Sequence, residues 1–152
     1  MRLREIMTHG AHTIAPTATI NEAARAMKRL NVGMIAVTDE HGKAKGVVTD
    51  RDLVLRILAE GLDPKTAEVR SVMSHQVHAA YESTELSDAV ETMCSKGISR
   101  LIVLNDSGEV SGVLSATDVA VHCDPLRVRE LFRALGSVYR DKHTRVGGPT
   151  LV

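Results

Sequence analysis

An internal repeat constrains the fold of this chain more than any other feature. Shifting the 152 residues by 66 positions brings two segments into gapless register, with Leu3 lying over Val69. Identical residues then recur together, including Ala23 with Ala89, Met27 with Met93, Gly46 with Gly112 and Asp52 with Asp118. A constant offset over about fifty positions indicates duplication, so both halves are expected to adopt one fold.

A helix is predicted early in each half. Apolar residues of 20–30 recur at helical spacing, with Thr19 as the N-cap and Glu22 as its capping-box partner. In the second half the equivalent helix begins at Thr84 or Glu85. The residues predicted to end the two helices are Asn31 and Gly97.

Strands are predicted around these helices. One short strand is predicted before each helix and a β-hairpin after it. The hairpin is predicted because a turn that begins with Asp or Asn and ends with Gly separates two β-rich runs. The predicted strands are His12–Ile14, Met34–Thr38, Lys45–Thr49, Val77–Ala79, Leu101–Leu104 and Val110–Ser115. A second helix then starts at Asp50 and at Ala116. The fold class is therefore α/β (α+β), with the order β-α-β-β-α twice.

The expected organisation places repeat 1 over residues 1–66 and repeat 2 over residues 67–123. Half a chain of about 60 residues buries little surface alone, so the repeats should pack with pseudo-two-fold symmetry and enclose two clefts. An amphipathic C-terminal helix is predicted over 124–140, which either covers the module or contacts another subunit. Residues 141–152 are predicted to be a flexible tail.

Composition narrows the class of function. Lys plus Arg and Asp plus Glu are 19 each, and this balance argues against a global grip on nucleic acid or anionic lipid. No apolar run approaches the ~20 residues of a membrane span. With two widely spaced cysteines, Cys94 and Cys123, we expect a reduced cytoplasmic protein.

Candidate binding chemistry lies where each hairpin enters its last helix. Both copies read Gly, two apolar residues, a hydroxyl, two variable residues and Asp, over 46–52 and 112–118. The hydroxyls of Thr49 and Ser115 should cap the helix, where free N–H groups favour an anion. An Asp one turn later can accept hydrogen bonds from a vicinal diol such as ribose. The alternative is that the motif does no more than cap the helix.

With this motif intact in both halves, residues 3–121 resemble a tandem pair of CBS domains, the Bateman module. Residues 49–64 are further similar to small stand-alone bacterial CBS-pair proteins. The resemblance implies an adenosyl ligand between the repeats, such as AMP, ADP, ATP or S-adenosylmethionine. Each Asp would bind the ribose, and each Thr or Ser would lie near the phosphate.

The resemblance also implies the lining of the two clefts. One would combine Ser115 and Asp118 with Ile14, Ala15, Gly33 and Met34. The other would combine Thr49 and Asp52 with Ala80, Tyr81, Ser99 and Arg100. The motif residues Gly46, Gly112 and Thr117 complete the predicted set. Since Arg100 occupies the position of Met34 in the other copy, a phosphorylated ligand should favour a cleft near Arg100 and Asp118. A surface salt bridge is the alternative role for Arg100.

The sequence also allows two functions other than ligand sensing. His-x-x-His pairs in register could bind zinc or another metal if symmetry brought them together: His9, His12, His75 and His78. A protein-interaction adaptor without a nucleotide is the other alternative. No catalytic constellation is predicted, because Cys94 has no evident His base and no phosphate-binding glycine loop is present.

The sequence thus predicts a regulatory module that senses an adenine nucleotide or other adenosyl compound, with no required cofactor. Its output would be a conformational or oligomeric change. The expected partners are a second copy of the chain, as a homodimer, and an effector protein.

Overall fold

The computed structural model describes residues 1–144. The first half contains β1 (Thr8–His9), β2 (Thr13–Ile14), α1 (Ile20–Leu30), β3 (Met34–Thr38), β4 (Ala44–Thr49) and α2 (Asp50–Leu53), which continues as a π-helix over Val54–Leu58. The second half contains β5 (Ala79–Tyr81), α3 (Leu86–Lys96), β6 (Arg100–Leu104), β7 (Val110–Ser115), α4 (Ala116–His122) and α5 (Pro125–Thr144). The predicted α+β class is confirmed.

The first helix of each half begins and ends for local reasons. At the start of α1, Glu22 N donates to Thr19 Oγ1 over 3.2 Å and Thr19 N donates to Glu22 Oε2 over 2.7 Å. The hydrogen bonds that Glu22 Oε2 accepts from Thr19 N and Thr19 Oγ1 lower the pKa of Glu22. At the ends of α1 and α3, Asn31 and Gly97 adopt left-handed φ angles of 54° and 60°. The predicted capping box and both helix ends are confirmed.

The strands form two small mixed sheets in the described part of the chain, ordered β2-β3-β4 and β1-β7-β6-β5. In each sheet a parallel pair is followed by an antiparallel hairpin: β2 with β3, then β3 with β4, and β5 with β6, then β6 with β7. The sequence pattern missed β1, which lies in the first half but pairs with β7 of the second. A two-residue polar strand has no periodicity to detect.

The pairing of β1 is part of a reciprocal exchange of segments. Leu3 N donates to Thr84 O, which joins the N-terminal 3₁₀ turn to the second repeat. In the same way Val69 N donates to Ala18 O, and Ser74 and Val47 exchange two backbone hydrogen bonds of 2.9 Å. Each repeat is therefore completed by the segment that precedes the other one, as two-fold pseudosymmetry requires.

Each core contains apolar side chains from the exchanged segment. Leu3 and Met7 pack in the core of the second repeat, and Val69 and Met73 pack in the core of the first. The sequence boundaries 1–66 and 67–123 thus mark the duplication, whereas the packed units interleave across them.

The C-terminal helix covers the second repeat. Leu131 of α5 is fully buried in that core, where Leu135 also packs. The helix predicted over 124–140 extends to Thr144, so it includes the first residues of the predicted tail. Residues 145–152 of that tail lie outside the described part of the chain.

Gly46 and Gly112 are the sites where the exchanged segments approach the sheets most closely. A Cβ atom on Gly112 would lie 2.6 Å from the backbone oxygen of Thr8, and one on Gly46 would lie 2.6 Å from that of Ser74. Because real Cβ atoms do not approach backbone oxygen so closely, both glycines have a packing reason to be glycine. Ligand contact by these two residues stays a prediction.

Gly112→Ala should destabilise the protein by about 1–3 kcal/mol, because its methyl group would collide with the β1 backbone. Urea unfolding followed by circular dichroism measures the loss. The matched control is Gly136→Ala in α5, where an added Cβ meets no atom within 4 Å. That substitution should raise stability by about 0.5–1 kcal/mol. Equal midpoints for the two variants would contradict the packing role of Gly112.

Candidate functional site

The first copy of the motif forms a closed capping box. Thr49 N and Thr49 Oγ1 both donate to Asp52 Oδ2, over 2.8 and 2.9 Å. In return Asp52 N donates to Thr49 Oγ1 over 3.2 Å. Both side chains are half-buried at the start of α2. The hydroxyl and the carboxylate are therefore fixed side by side at the strand end.

The second copy repeats this geometry. Ser115 N and Ser115 Oγ donate to Asp118 Oδ2 over 2.8 and 2.6 Å, and Asp118 N donates back to Ser115 Oγ over 3.2 Å. The capping role that the sequence allowed is thus present in both copies. It occupies one carboxylate oxygen of each Asp, so a diol would need the other oxygen, Oδ1.

The two copies differ in what surrounds that second oxygen. Asp52 Oδ1 lies 3.7 Å from Arg56 Nε, and Arg56 also donates to the backbone oxygen of Val72 over 2.7 Å. The residue in register with Arg56 is His122, whose Nδ1 lies 2.9 Å from the backbone oxygen of Asp118. Within residues 1–144, Oδ1 of Asp118 has no hydrogen-bond or ionic partner. The second copy therefore keeps its carboxylate oxygen available.

An inter-repeat cavity of about 510 Å³ lies beside the second copy. Arg100 and Ser115, which face each other across β6 and β7, line it from the second repeat. Gly33 and Met34 line it from the first repeat, where β3 begins. The cavity thus joins four predicted site residues from both repeats, and its volume is that of a small-molecule site.

The charge of the cavity lining is positive. Arg100 is exposed and has no acidic partner in the described residues, so its alternative role in a surface salt bridge is not formed. His9 and His12 also line the cavity, and its lining includes no carboxylate. Arg100 therefore offers an anion in the cavity a guanidinium group that no ion pair occupies.

The lining differs from the predicted sets in several positions. Arg100 was predicted to line a cleft with Thr49 and Asp52 and to bind phosphate near Asp118; it lines the cavity of Ser115, to which Asp118 is bonded. The predicted residues that do not line the cavity are Ile14, Ala15, Ala80, Tyr81, Ser99, Thr117, Thr49, Asp52, Asp118, Gly46 and Gly112. Asp118 is nevertheless bonded to Ser115, which does line it. The exposed residues among them are Ala15, Tyr81, Ser99 and Thr117. Roles of these residues in ligand binding stay predictions.

Sequence reasoning missed part of the lining. Thr8 and Gly10 enter the cavity because β1 crosses to the second repeat, and Asn31 and Val32 enter because they end α1. Asn31 was predicted to end α1. Its position between that helix and β3 was the signal that could have placed it in the cavity lining. The crossing of β1 left no sequence signal.

The four histidines are not grouped in the described part of the chain. Across residues 1–144, no three His, Cys, Asp or Glu side chains are grouped closely enough to bind a metal ion. His9 and His12 line the inter-repeat cavity, whereas His75 and His78 do not. The described arrangement thus does not bring the four histidines together, and metal binding by them stays a hypothesis.

The two cysteines are not activated as nucleophiles. Burial against the second core raises the pKa of the Cys94 and Cys123 thiols. A raised pKa leaves less of the reactive thiolate at neutral pH.

No helix in the described range is long and apolar enough to cross a bilayer.

The structure thus consists of two duplicated β-α-β-β-α units with a cavity between them. The CBS domain family model matches residues 3–59 and 69–123, one match in each repeat. The chain therefore belongs to the CBS domain family, as the motif predicted.

Curated relatives agree with this assignment. The CBS domain-containing protein YhcV of Bacillus subtilis is 38% identical over 120 residues, which are 79% of this chain and 84% of that protein. An uncharacterized protein of Methanopyrus kandleri is 31% identical over 115 residues, 76% of this chain. This match spans 59% of the length of the Methanopyrus protein.

Solved structures share the fold. A CBS domain protein from Pyrobaculum aerophilum, complexed with AMP, is 26% identical with a TM-score of 0.72, covering 88% of this chain and 99% of that one. Hypoxic Response Protein I, solved with two coordinated zinc ions, is 24% identical with a TM-score of 0.73, covering 82% and 100%. Hypoxic response protein 1 of Mycobacterium tuberculosis is also a sequence relative, 25% identical over 134 residues, 88% of this chain and 93% of that protein. The predicted likeness to small stand-alone CBS-pair proteins is confirmed.

Ser115→Ala should lower the stability of the protein by about 1 kcal/mol, because α4 loses its N-cap acceptor. Ser115→Thr should retain it, since Thr49 makes the same bonds in the first copy. Urea denaturation of the three proteins gives the comparison. An unchanged midpoint in Ser115→Ala would show that the cap is not needed there.

Proposed function

We propose that this protein is a regulatory module that binds an adenine nucleotide in the inter-repeat cavity beside Ser115 and Asp118. The observation that carries the proposal is the cavity itself, which combines Arg100 and Ser115 of one repeat with Gly33 and Met34 of the other. Asp118, bonded to Ser115, offers Oδ1 to a ribose diol. Ser115 and Arg100 are the candidate phosphate contacts.

The charge of the lining favours a nucleotide over S-adenosylmethionine. A phosphate would accept hydrogen bonds from Arg100, whose planar guanidinium suits phosphate oxygens. His9 and His12 add donors nearby. The sulfonium of S-adenosylmethionine is a cation, which the guanidinium of Arg100 would repel. The Pyrobaculum relative complexed with AMP is consistent with this choice.

Signalling would follow from the position of the cavity between the repeats. A ligand that contacts both repeats favours the relative orientation in which both sets of contacts are made. Because each repeat carries the segment that completes the other core, a change in orientation is transmitted to both cores. The proposed output is a shift between orientations that a partner protein or a second copy reads.

Arg100→Met should weaken AMP binding about 10- to 100-fold, since a charge-assisted contact contributes roughly 1.5–3 kcal/mol. Isothermal titration calorimetry measures the affinity, and a thermal shift is a first screen. AMP at 100 times its dissociation constant should add about 2.7 kcal/mol to the wild type.

Two controls separate the phosphate contact from general damage. Adenosine, which has no phosphate, should bind both proteins with similar affinity. Arg127→Met removes an arginine that pairs with Glu130 on α5 and should leave AMP affinity unchanged. Failure of wild-type protein to bind AMP, ADP or ATP would overturn the proposed function.

A second copy of the chain is the partner that we propose for the first repeat. An apolar groove of about 220 Å³ lies between α1 and the π-helix, lined by Ile20, Ala24, Leu53, Val54, Ile57, Leu58, Leu62 and Pro64. Leu58 is 75% exposed there. In the second repeat α5 buries Leu131 against the equivalent helices. The groove that an amphipathic helix fills in one repeat is thus uncovered in the other.

Charge complementarity favours α5 of a second copy as the occupant of this groove. Residues 50–63 carry four carboxylates and two arginines, whereas residues 125–144 carry five cationic side chains and two carboxylates. The outward face of α5 also exposes Leu126 and Phe132, at 62% and 52%. Two such contacts related by a two-fold axis would close a homodimer.

Leu58→Asp should convert the dimer to a monomer at micromolar concentration, because it places a carboxylate in the apolar contact. Sedimentation velocity gives the oligomeric state, and Leu58→Met is the control that keeps the groove apolar. A wild-type protein that is monomeric at every concentration would contradict the homodimer, and the groove would then be a site for another protein.

A further inference from the structure

A second, smaller groove adjoins the inter-repeat cavity and has no counterpart of the same charge in the other repeat. We call it the arginine groove: it has a volume of about 340 Å³, lies between α1 and β2, and is lined by Arg25 and Arg29 of α1 and by His12. We propose that the nucleotide in the inter-repeat cavity carries a phosphate chain, and that the arginine groove binds its distal phosphates. This inference rests on the proposed function and names its ligand class as a nucleoside tri- or polyphosphate.

The two sites meet at His12. This residue lines both the inter-repeat cavity and the arginine groove. Along β3, Met34 and Ala36 face the cavity while Ile35 faces the groove, as strand alternation requires. The sites therefore lie on opposite faces of β3, and β2 is the edge strand of that sheet. A chain of phosphates that leaves the cavity would pass the open edge beside His12.

The arginines of the groove are available for a ligand. Arg25 and Arg29 are both exposed, and within the described residues neither has an ion-pair partner. The single carboxylate of the lining, Glu22, directs Oε2 to Thr19 N and Thr19 Oγ1, at 2.7 and 3.0 Å. The capping box engages one oxygen of this carboxylate, and two guanidinium groups against one carboxylate leave the groove positively charged.

The fold does not need this pair of arginines. Like charges four residues apart on a helix repel each other. In the second repeat the positions in register with Arg25 and Arg29 are Glu91 and Ser95, on a helix of the same length. Since the duplicated helix forms without two cations there, their presence beside His12 indicates binding of an anion. Paired guanidinium groups suit adjacent phosphates.

The experiment compares AMP, ADP and ATP by isothermal titration calorimetry on the full chain and on Arg25→Gln/Arg29→Gln. The wild type should bind ATP at least 10-fold more tightly than AMP, with ADP between them. The double variant should lose that gain while its AMP affinity stays within about twofold, which also shows that it is folded. The control Lys28→Gln/Lys96→Gln removes two exposed helical cations outside the groove and should keep the preference for ATP.

Each other outcome is decisive. Equal wild-type affinities for AMP and ATP would overturn the phosphate-chain inference and leave the proposed function intact. A double variant that loses AMP and ATP affinity equally would also overturn it, because the arginines would then act through overall charge or stability. If no nucleotide binds the wild type, the proposed function itself fails.

Discussion

The reciprocal exchange of N-terminal segments is the interaction on which the rest of this structure depends. Leu3 and Val69, equivalent in the duplication, are both completely buried, each in the core of the other repeat. Their removal would open a cavity in each core, and neither half of the chain contains a complete set of core residues without its neighbour. The inter-repeat cavity follows from the same exchange, because the segment that leads into β1 places Thr8 and His9 on the second repeat.

Because the chain is duplicated, equivalent positions of the two repeats can be compared to separate residues that serve the fold from residues that vary. Features present in both copies include the capping boxes of the motif and the glycines that accept the crossing segments. Features present in one copy are charges: Arg100 against Met34, and Arg56 against His122. A pseudosymmetric backbone thus carries two chemically different clefts. One has its Asp oxygen near Arg56, and the other has an available oxygen and a positive lining.

The local elements were predictable because their causes are local. Thr19 with Glu22, and Asn31 at the helix end, form bonds within one turn of the chain, and the structure contains them as predicted. The motif hydroxyls and acids were also located correctly, since a capping box needs two residues three positions apart and no partner elsewhere. Strand β1 and the entry of Thr8 and Gly10 into the inter-repeat cavity were not predictable in the same way. Both depend on residues that are distant in sequence and that meet when the repeats interleave.

The sequence by itself therefore determined the duplication, the order of helices and strands, the family and the residue types that could bind a nucleotide. The helices, strands and motif depend on spacing within a turn or a hairpin. The 66-residue offset reveals the duplication and shows each of these local patterns twice. The tertiary structure alone decided which residues share a cavity, that the four histidines are not grouped in the described residues, and that the first repeat has an uncovered groove. The physical reason is that cavities and covered faces arise from packing between segments far apart in the chain, which periodicity does not encode.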